Sequence, residues 1–287
     1  MKTLSSVLGN SQKLDGGAMF GNVPKALWSQ WLQPDPENRI TLACRALLVE
    51  DKGKKILLET GIGSFFEPKL KLRYGVIEVR HKLLDSLAAL GLQHEDIDFV
   101  ILSHLHFDHA GGLLSAWQEG QTPQLLFPNA RYLVGKEAWN RAQQPHFRDR
   151  ASFIQLLNNL LAASQRLVVI DTETTPLLGN DYHFHFSNGH TPGMMLTEIA
   201  MPEGAILFSA DLIPGINWIH LPITMGYDRA AEQLVDEKQK LLKHMLSING
   251  RIFYTHDPRF ALSNIQQDDK GCFSAVNGLE QMMRLEH

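Results

Sequence analysis

The sequence predicts a mixed α/β fold, in which helices cover sheets that contain both parallel and antiparallel strands. Short apolar runs typical of strands alternate with segments of helical periodicity along most of the chain. Several neighbouring runs are separated only by turn residues, which is typical of hairpins rather than of crossover connections. The 287 residues are 44% hydrophobic and 20% charged, an ordinary composition for a globular protein with a sizeable core.

The first half of the chain begins its regular pattern near residue 41. Residues 41–49 are apolar-rich, and residues 51–54 predict the turn of a hairpin that returns through residues 56–58. Four leucines at helical spacing predict a helix over residues 83–90, and the glycine that follows suits its C-terminal cap. Residues 97–102 predict a short buried strand that leads directly into a histidine-rich segment.

The second half repeats this plan. The predicted strands cover residues 131–134, 167–170, 182–187, 196–200, 205–208 and 251–254, and the predicted helices cover residues 151–163 and 230–246. Four strand-like runs along the whole chain are each followed within three residues by a metal-binding type of side chain, at His104, His190, Asp211 and His256. Because ligands at strand ends converge on one edge of a sheet, we expect a site there.

The domain organisation predicted from the sequence is simple. No long linker or low-complexity tract interrupts residues 41–284, which predict a single domain. Residues 1–40 contain several glycines and prolines together with large apolar side chains, and they predict an irregular N-terminal arm packed on that domain. Residues 285–287, Leu-Glu-His, are similar to the start of a purification tag.

Composition also limits the partners. The formal net charge is −4, from 27 basic and 31 acidic residues without a basic cluster, so a nucleic-acid partner is not expected. No apolar run approaches the ~20 residues needed to cross a bilayer, and the N-terminus lacks the apolar region of a signal peptide. We expect a cytoplasmic protein that acts on a small molecule, away from membranes, and the aromatic arm is compatible with a homodimer.

The strongest motif is the segment SHLHFDHAGG, which starts at Ser103. His104 and His106 are separated by one residue, so on an extended segment their side chains point the same way and can hold one ion. Asp108 and His109 are adjacent, turn to a different side, and can serve a second ion. Burying three imidazoles and a carboxylate together without a metal would be costly, which favours metal binding over a polar loop.

Three later residues complete the pattern. Taken singly, His190 and His256 could be turn residues and Asp211 a helix cap, but their order behind the first cluster is more informative. An HxHxDH motif followed by this His, Asp and His resembles the metallo-β-lactamase superfamily, over roughly residues 41–257. The resemblance implies a four-layer αβ/βα sandwich of two mixed sheets flanked by helices, with metals at one sheet edge. It further implies that His104, His106 and His190 bind one ion, that Asp108, His109 and His256 bind a second, and that Asp211 bridges them.

The resemblance also implies an activity. Imidazole and carboxylate ligands suit two Zn²⁺ per chain, with Fe or Mn as alternatives that the ligands leave open. Two such ions share a water and lower its pKa from ~15.7 toward ~7, which supplies a bridging hydroxide nucleophile. Asp108 is the carboxylate expected to move a proton.

The sequence indicates the substrate class less clearly than the metal ligands. SHLHFDHAGG is most similar to N-acyl-homoserine lactonases and to methyl parathion hydrolase, which implies a hydrolase of a lactone or ester carbonyl. The alternative is a phosphotriesterase that hydrolyses organophosphates. A further alternative is a mononuclear iron oxidoreductase of the persulfide dioxygenase type, in which Asp108 and His109 would not be ligands.

Several positions depart from these relatives. Pro214 stands where the compact lactonases carry a tyrosine that assists the leaving group, so His220 and Tyr227 are candidate substitutes in substrate binding. Glu59 stands where the family usually has an aspartate that orients the ligands. Met194 replaces a histidine found in many relatives and is expected to pack in the core.

Overall fold

The computed structural model describes residues 2–286, which divide into two compact units. Unit 1 comprises residues 2–12, 43–171 and 283–286, and unit 2 comprises residues 13–42 and 172–282. The last residue of the predicted tag, His287, lies outside the described residues. The single domain predicted over residues 41–284 stays a prediction.

Strands and helices of both units are numbered along the chain. The strands are β1 (Lys2–Leu8), β2 (Gln12–Asp15), β3 (Arg39–Leu42), β4 (Arg45–Asp51), β5 (Lys54–Leu58), β6 (Phe99–Leu102), β7 (Arg131–Gly135), β8 (Leu167–Ile170), β9 (Tyr182–Ser187), β10 (Met194–Ile199), β11 (Ile206–Phe208), β12 (Arg251–Phe253), β13 (Leu262–Gln267), β14 (Phe273–Leu279) and β15 (Leu285–Glu286). The helices are α1 (Gly16–Phe20), α2 (Lys25–Trp28), α3 (Pro68–Arg73), α4 (Lys82–Ala89), α5 (Phe107–Ala110), α6 (Lys136–Gln143), α7 (Gln155–Ala163) and α8 (Ala231–Ser247). Short 3-10 helices include Ala210–Leu212 and Ile216–Ile219.

The sheet of unit 1 has the strand order β15-β1-β4-β5-β6-β7-β8. Strands β1, β4 and β5 pair antiparallel, whereas β5 to β8 pair parallel, so the predicted mixed sheet is confirmed. Lys52 and Gly53 both have positive φ, at 51° and 79°, and form the tight turn between β4 and β5. That turn geometry matches the twist of an antiparallel pair and ends the hairpin where the sequence predicts.

Helices α4, α6 and α7 supply the buried residues that join the strands in the core of unit 1. Each presents two small or aliphatic side chains that are at most 2% exposed: Leu83 and Leu87 from α4, Ala138 and Ala142 from α6, and Leu157 and Leu161 from α7. The spacing of four residues places each pair on one helix face. The parallel strands are thereby covered, as such strands require.

The sheet of unit 2 has the order β14-β13-β12-β11-β10-β9. Its pairs are antiparallel except β11 with β12, so this sheet is also mixed. Helix α8 is amphipathic and buries Leu234, Leu241, Leu242 and Met245. Strands β13 and β14 are absent from the sequence prediction because much of their length is polar and exposed, which obscures the two-residue period. Within residues 2–286, the search for a helix long and apolar enough to span a bilayer finds none.

The irregular backbone predicted for residues 1–40 is wrong for much of that segment, whereas its role as an arm packed on the domain stays a prediction. Lys2–Leu8 forms β1, which pairs with β4 over seven consecutive positions, and β2 pairs with β3. Both partners lie far along the chain, so local patterns do not reveal the pairing. Phe20 of this segment stacks on Trp28 and on Trp218, with ring centroids 5.6 and 4.5 Å apart, and joins the core of unit 2.

Candidate metal centre

The HxHxDH segment lies at the end of β6 in unit 1. Strand β6 ends at Leu102, and the single turn of α5 then carries the last two residues of the motif. The ring of His104 lies 4.4 Å from that of His106 and 4.1 Å from that of His109, measured between centroids. Oδ1 of Asp108 lies 3.8 Å from Nε2 of His109. All four side chains are buried, so unit 1 gathers four metal-binding groups in one place.

Glu59 holds two of these histidines. It is fully buried just after β5, and one carboxylate oxygen lies 2.9 Å from Nδ1 of His109. The other oxygen accepts a short hydrogen bond from Ser103 Oγ, which in turn lies 2.9 Å from Nδ1 of His104. Both imidazoles are therefore fixed through Nδ1, which leaves Nε2 as the atom that could bind a metal. Glu59 adopts φ 62°, an uncommon conformation for this residue and typical of functional sites.

The two glycines after the motif are required by close backbone packing. A Cβ atom on Gly112 would lie 2.1 Å from the carbonyl oxygen of Thr60, and one on Gly111 would lie 2.4 Å from that of Ile62. Thr60 in turn donates its backbone N–H to the carbonyl of His109 over 2.9 Å. The glycines thus let the ligand segment approach the turn that carries Glu59.

Gln12 of β2 is a further partner that sequence reasoning missed. Its side-chain Nε2 donates to Oδ2 of Asp108 over 2.9 Å, and both groups are buried. An isolated glutamine 96 residues before Asp108 carries no local signal of this contact. The amide fixes the rotamer of the Asp108 carboxylate and leaves its other oxygen, Oδ1, facing His109.

Unit 2 carries the three downstream candidates. His190 follows β9, Asp211 follows β11 within a 3-10 helix, and His256 follows β12. Asp211 places Oδ2 3.1 Å from Nε2 of His190 and Oδ1 3.2 Å from Nε2 of His256. One carboxylate therefore faces two imidazoles through different oxygens, the arrangement expected of a group that bridges two cations. Since β11 and β12 run parallel, Asp211 and His256 emerge at the same sheet edge.

Asp228 orients His190. Its Oδ1 lies 2.8 Å from Nδ1 of His190, and its Oδ2 accepts the backbone N–H of Met225 over 2.7 Å. A carboxylate on Nδ1 fixes the ring and raises the basicity of Nε2 toward a metal. Sequence reasoning singled out the neighbouring Tyr227 instead, because a lone aspartate in a loop has no distinguishing pattern.

The loop at His256 is fixed by Asp257 and Pro214. The backbone N–H of His256 donates to the Pro214 carbonyl over 2.9 Å. The Asp257 carboxylate accepts backbone N–H groups from Ile216, Arg259 and, over 2.8 Å, Phe260. The turn after β12 is thereby held against the loop that follows Asp211.

The other candidates from the sequence occupy different surroundings. The side chains of His220 and Tyr227 are exposed, the latter by 43%, so their proposed role in substrate binding stays a prediction. The His220 carbonyl accepts a hydrogen bond from Lys238, whose ammonium group is buried and also contacts two other carbonyls. Met194 is fully buried in β10, which confirms the packing role predicted for it.

These donors fit divalent metal ions. Three of the histidines have Nδ1 within hydrogen-bond distance of an oxygen acceptor, and Nε2 is the atom left for a ligand bond. Four buried carboxylates stand at or behind the donors, and burying so much negative charge requires compensating cations. They are Glu59, Asp108, Asp211 and Asp228. Nitrogen and oxygen donors of this kind are those that zinc takes in proteins.

A family model and a curated relative both place the chain in the metallo-beta-lactamase superfamily. The model of the metallo-beta-lactamase superfamily matches residues 39–256, a range that includes all seven predicted ligands. An N-acyl homoserine lactonase of Bacillus cereus is 25% identical over 251 residues, which cover 83% of this chain and 87% of the lactonase.

Solved structures agree. A "probable metal-dependent hydrolase" of Staphylococcus aureus is similar with a TM-score of 0.84 and 25% identity, covering 97% of this chain and 98% of the other. AidC, described as a dizinc quorum-quenching lactonase in complex with a product, N-hexanoyl-L-homoserine, is similar with a TM-score of 0.72 and 24% identity, covering 96% and 94%. The chain therefore belongs to the metallo-beta-lactamase superfamily and is one of its hydrolases.

Proposed function

We propose that the protein is a dinuclear zinc hydrolase that opens the ring of N-acyl lactones. The observation that carries this proposal is the carboxylate of Asp211, whose two oxygens face His190 and His256 separately at 3.1 and 3.2 Å. A carboxylate whose two oxygens face different histidines suits two ions better than one. The family match over residues 39–256 includes all seven of the donors that the sequence predicts, which supports a complete ligand set.

The chemistry needs an activated water. These residues would hold two divalent ions, and such ions would supply the activation of a water as the nucleophile. Asp108 takes part as the proton-handling carboxylate, with its rotamer set by the amide of Gln12. Glu59 and Asp228 fix His109 and His190 through Nδ1 and so leave Nε2 of each ring for a metal.

The choice of an acyl lactone rests on a cavity in unit 1. This cavity has a volume of about 490 Å³ and a largely apolar and aromatic lining. Its lining includes Phe65, Phe66, Leu70, Tyr74, Phe107, Trp117, Phe153 and Ile154. Phe107 follows the predicted ligand His106 directly, and the ring of Phe153 lies 5.0 Å from the His106 ring. An apolar acyl chain in this cavity would lie beside the metal ligands, as a substrate with a polar ring and an apolar tail requires.

The substrate proposal is tested with a chain-length series. The purified protein is loaded with zinc, its metal content is measured, and kcat/KM is determined for N-acyl homoserine lactones with short to long acyl chains. We expect two zinc ions per chain and kcat/KM that rises with chain length while the added methylenes fit the cavity, at about 0.8 kcal/mol for each one buried. Two bound zinc ions with no ring opening across the series would refute the substrate class and leave the metal centre standing. One bound iron, with oxygen consumed in the presence of persulfides, would instead support the oxidoreductase alternative.

Organophosphate triesters are the second candidate. Pro214 favours them, since its ring carries no hydroxyl where the compact lactonases have the tyrosine that assists their leaving group. A phosphotriester with an aryloxide leaving group needs little help from a proton donor. The same zinc-loaded protein is assayed with paraoxon-type triesters, and a larger kcat/KM for these than for every lactone in the series would favour this candidate.

A further inference from the structure

A second group of metal-binding side chains lies in unit 2, apart from the seven predicted ligands. Nε2 of His185 lies 2.7 Å from Oε2 of Glu198, and Nε2 of His244 lies 2.8 Å from the same oxygen. The three ligand atoms are all within 4.8 Å of one another. Two imidazole nitrogens thus converge on a single carboxylate oxygen.

The convergence follows from the secondary structure. His185 lies on β9 and Glu198 on the adjacent β10, where Glu198 pairs with His183 in the antiparallel register. Residues two apart on a strand share a face, so His183, His185 and Glu198 point to the same side of the sheet. His244 reaches them from the last turn of α8. Three ordered elements therefore supply the donors, and no flexible loop is needed to bring them together.

The surroundings favour a bound cation. The carbonyl groups at the C-terminal end of α8 give a partial negative charge next to His244. The side chains are 15% to 41% exposed, which leaves water access for entry of an ion and completion of its coordination.

We propose that His185, Glu198 and His244 form a separate binding site for a divalent transition metal such as Zn²⁺. Two histidines and one glutamate with an open position for water form a ligand set that zinc accepts. Tetrahedral coordination at about 2.1 Å would set the donors about 3.4 Å apart. The two imidazole-to-carboxylate separations, 2.7 and 2.8 Å, would each have to grow by about 0.6–0.7 Å to admit the ion. The hydrogen-bonded triad is then the metal-free form.

A metal here would tie α8 to the strands that lead to His190. Strand β9 ends three residues before His190, and α8 is already joined to that connection through Glu237, which accepts the hydroxyl of Ser187 over 2.6 Å. A ligand that binds the folded state alone stabilises it in proportion to its concentration. The site therefore gives zinc a stabilising effect that does not depend on the proposed hydrolytic activity.

The test counts zinc on the full-length protein by equilibrium dialysis over a range of free zinc, with thermal unfolding measured in parallel. We expect one equivalent to bind more weakly than the metals of the candidate centre. His244→Ala, and separately Glu198→Gln, should weaken the affinity for this zinc ion by at least about tenfold. Loss of a residue that only orients a metal ligand already costs about that much, so loss of a ligand should cost no less. Lys243→Ala, an exposed change in the same turn of α8, is the matched control and should bind like the unaltered protein.

Thermal unfolding supplies the second readout. Added zinc should raise Tm in the unaltered protein and in Lys243→Ala, and this rise should be smaller in His244→Ala. The proposal is overturned if the extra equivalent is absent, or if it persists unchanged in both His244→Ala and Glu198→Gln. Failure of the hydrolase assay does not affect this outcome, because metal count and Tm are measured without substrate.

Discussion

Gln12 donates its side-chain amide to the carboxylate of Asp108 over 2.9 Å, across 96 residues of chain. Both side chains are buried, and the bond leaves only Oδ1 of Asp108 to face the neighbouring His109. A carboxylate held in one rotamer is better placed both to bind a metal and to pass a proton than one that is free to rotate.

Replacement of Gln12 tests this relationship. Gln12→Ala removes the donor and should reduce kcat/KM, or the affinity for one metal equivalent, by about 10–100-fold, as loss of an outer metal partner does. Gln33→Ala changes an exposed glutamine and should leave both quantities unchanged. Metal content and kcat/KM are measured at matched zinc concentrations. If Gln12→Ala behaves like Gln33→Ala, the amide has no part in positioning Asp108.

Asp228 offers a second test, in unit 2, through its contact with His190. Asp228→Asn keeps the shape of the side chain but removes the charge beside Nδ1 of His190. We expect zinc affinity to fall by about 10–100-fold with little change in far-UV circular dichroism. Asp236→Asn, an exposed change on α8, is the control. Unaltered zinc affinity in Asp228→Asn would mean that the hydrogen bond to His190 serves packing alone.

The cavity predicts a change in selectivity. The ring of Phe66 lies 4.1 Å from that of Phe65 and 4.7 Å from that of Tyr74, in the aromatic cluster that lines the cavity. Phe66→Ala removes apolar contacts of the acyl chain, so kcat/KM for long-chain lactones should fall about 10–100-fold relative to short-chain ones. Leu72→Ala, an exposed change on the nearby α3, should alter neither. An equal loss for short and long chains would place the acyl chain elsewhere.

The candidate metal ligands can be predicted from the sequence more readily than the residues that orient them by hydrogen bonds. The HxHxDH segment and the strand that precedes it are visible because a dense local motif follows a short, continuous apolar run. Several strand bounds agree closely, as for β8 and β9, because apolar runs and turn residues delimit them. Gln12 and Asp228 carry no such signal, since each acts through one long-range hydrogen bond.

The same limit explains the error at the N-terminus. The strand β1 is specified by its pairing with β4 rather than by its own composition, because only Leu4 and Val7 in Lys2–Leu8 are buried apolar residues. A pattern of that length is also compatible with a loop. Tertiary pairing decides the outcome, as it commonly does for strands.

His81 predicts a pH dependence of stability in unit 1. Burial lowers the pKa of His81 below its ordinary 6.5, and its neutral ring makes a 3.1 Å hydrogen bond with the carbonyl of Gly112. Below about pH 6.5 this histidine becomes protonated in the unfolded chain, whereas in the folded chain its ring stays neutral to a lower pH. Its contribution to the free energy of unfolding is therefore full above pH 6.5 and is lost as the pH falls toward the lowered pKa.

The measurement is urea unfolding of metal-free protein at pH 7.5 and at pH 5.5. His81→Gln keeps a hydrogen-bond donor for Gly112 but does not titrate, so it should lose less stability than the unaltered protein between the two pH values. Comparing the two proteins cancels the titration of the histidines they share, including the predicted metal ligands. An identical pH dependence in His81→Gln would show that His81 is protonated equally in the folded and unfolded chains.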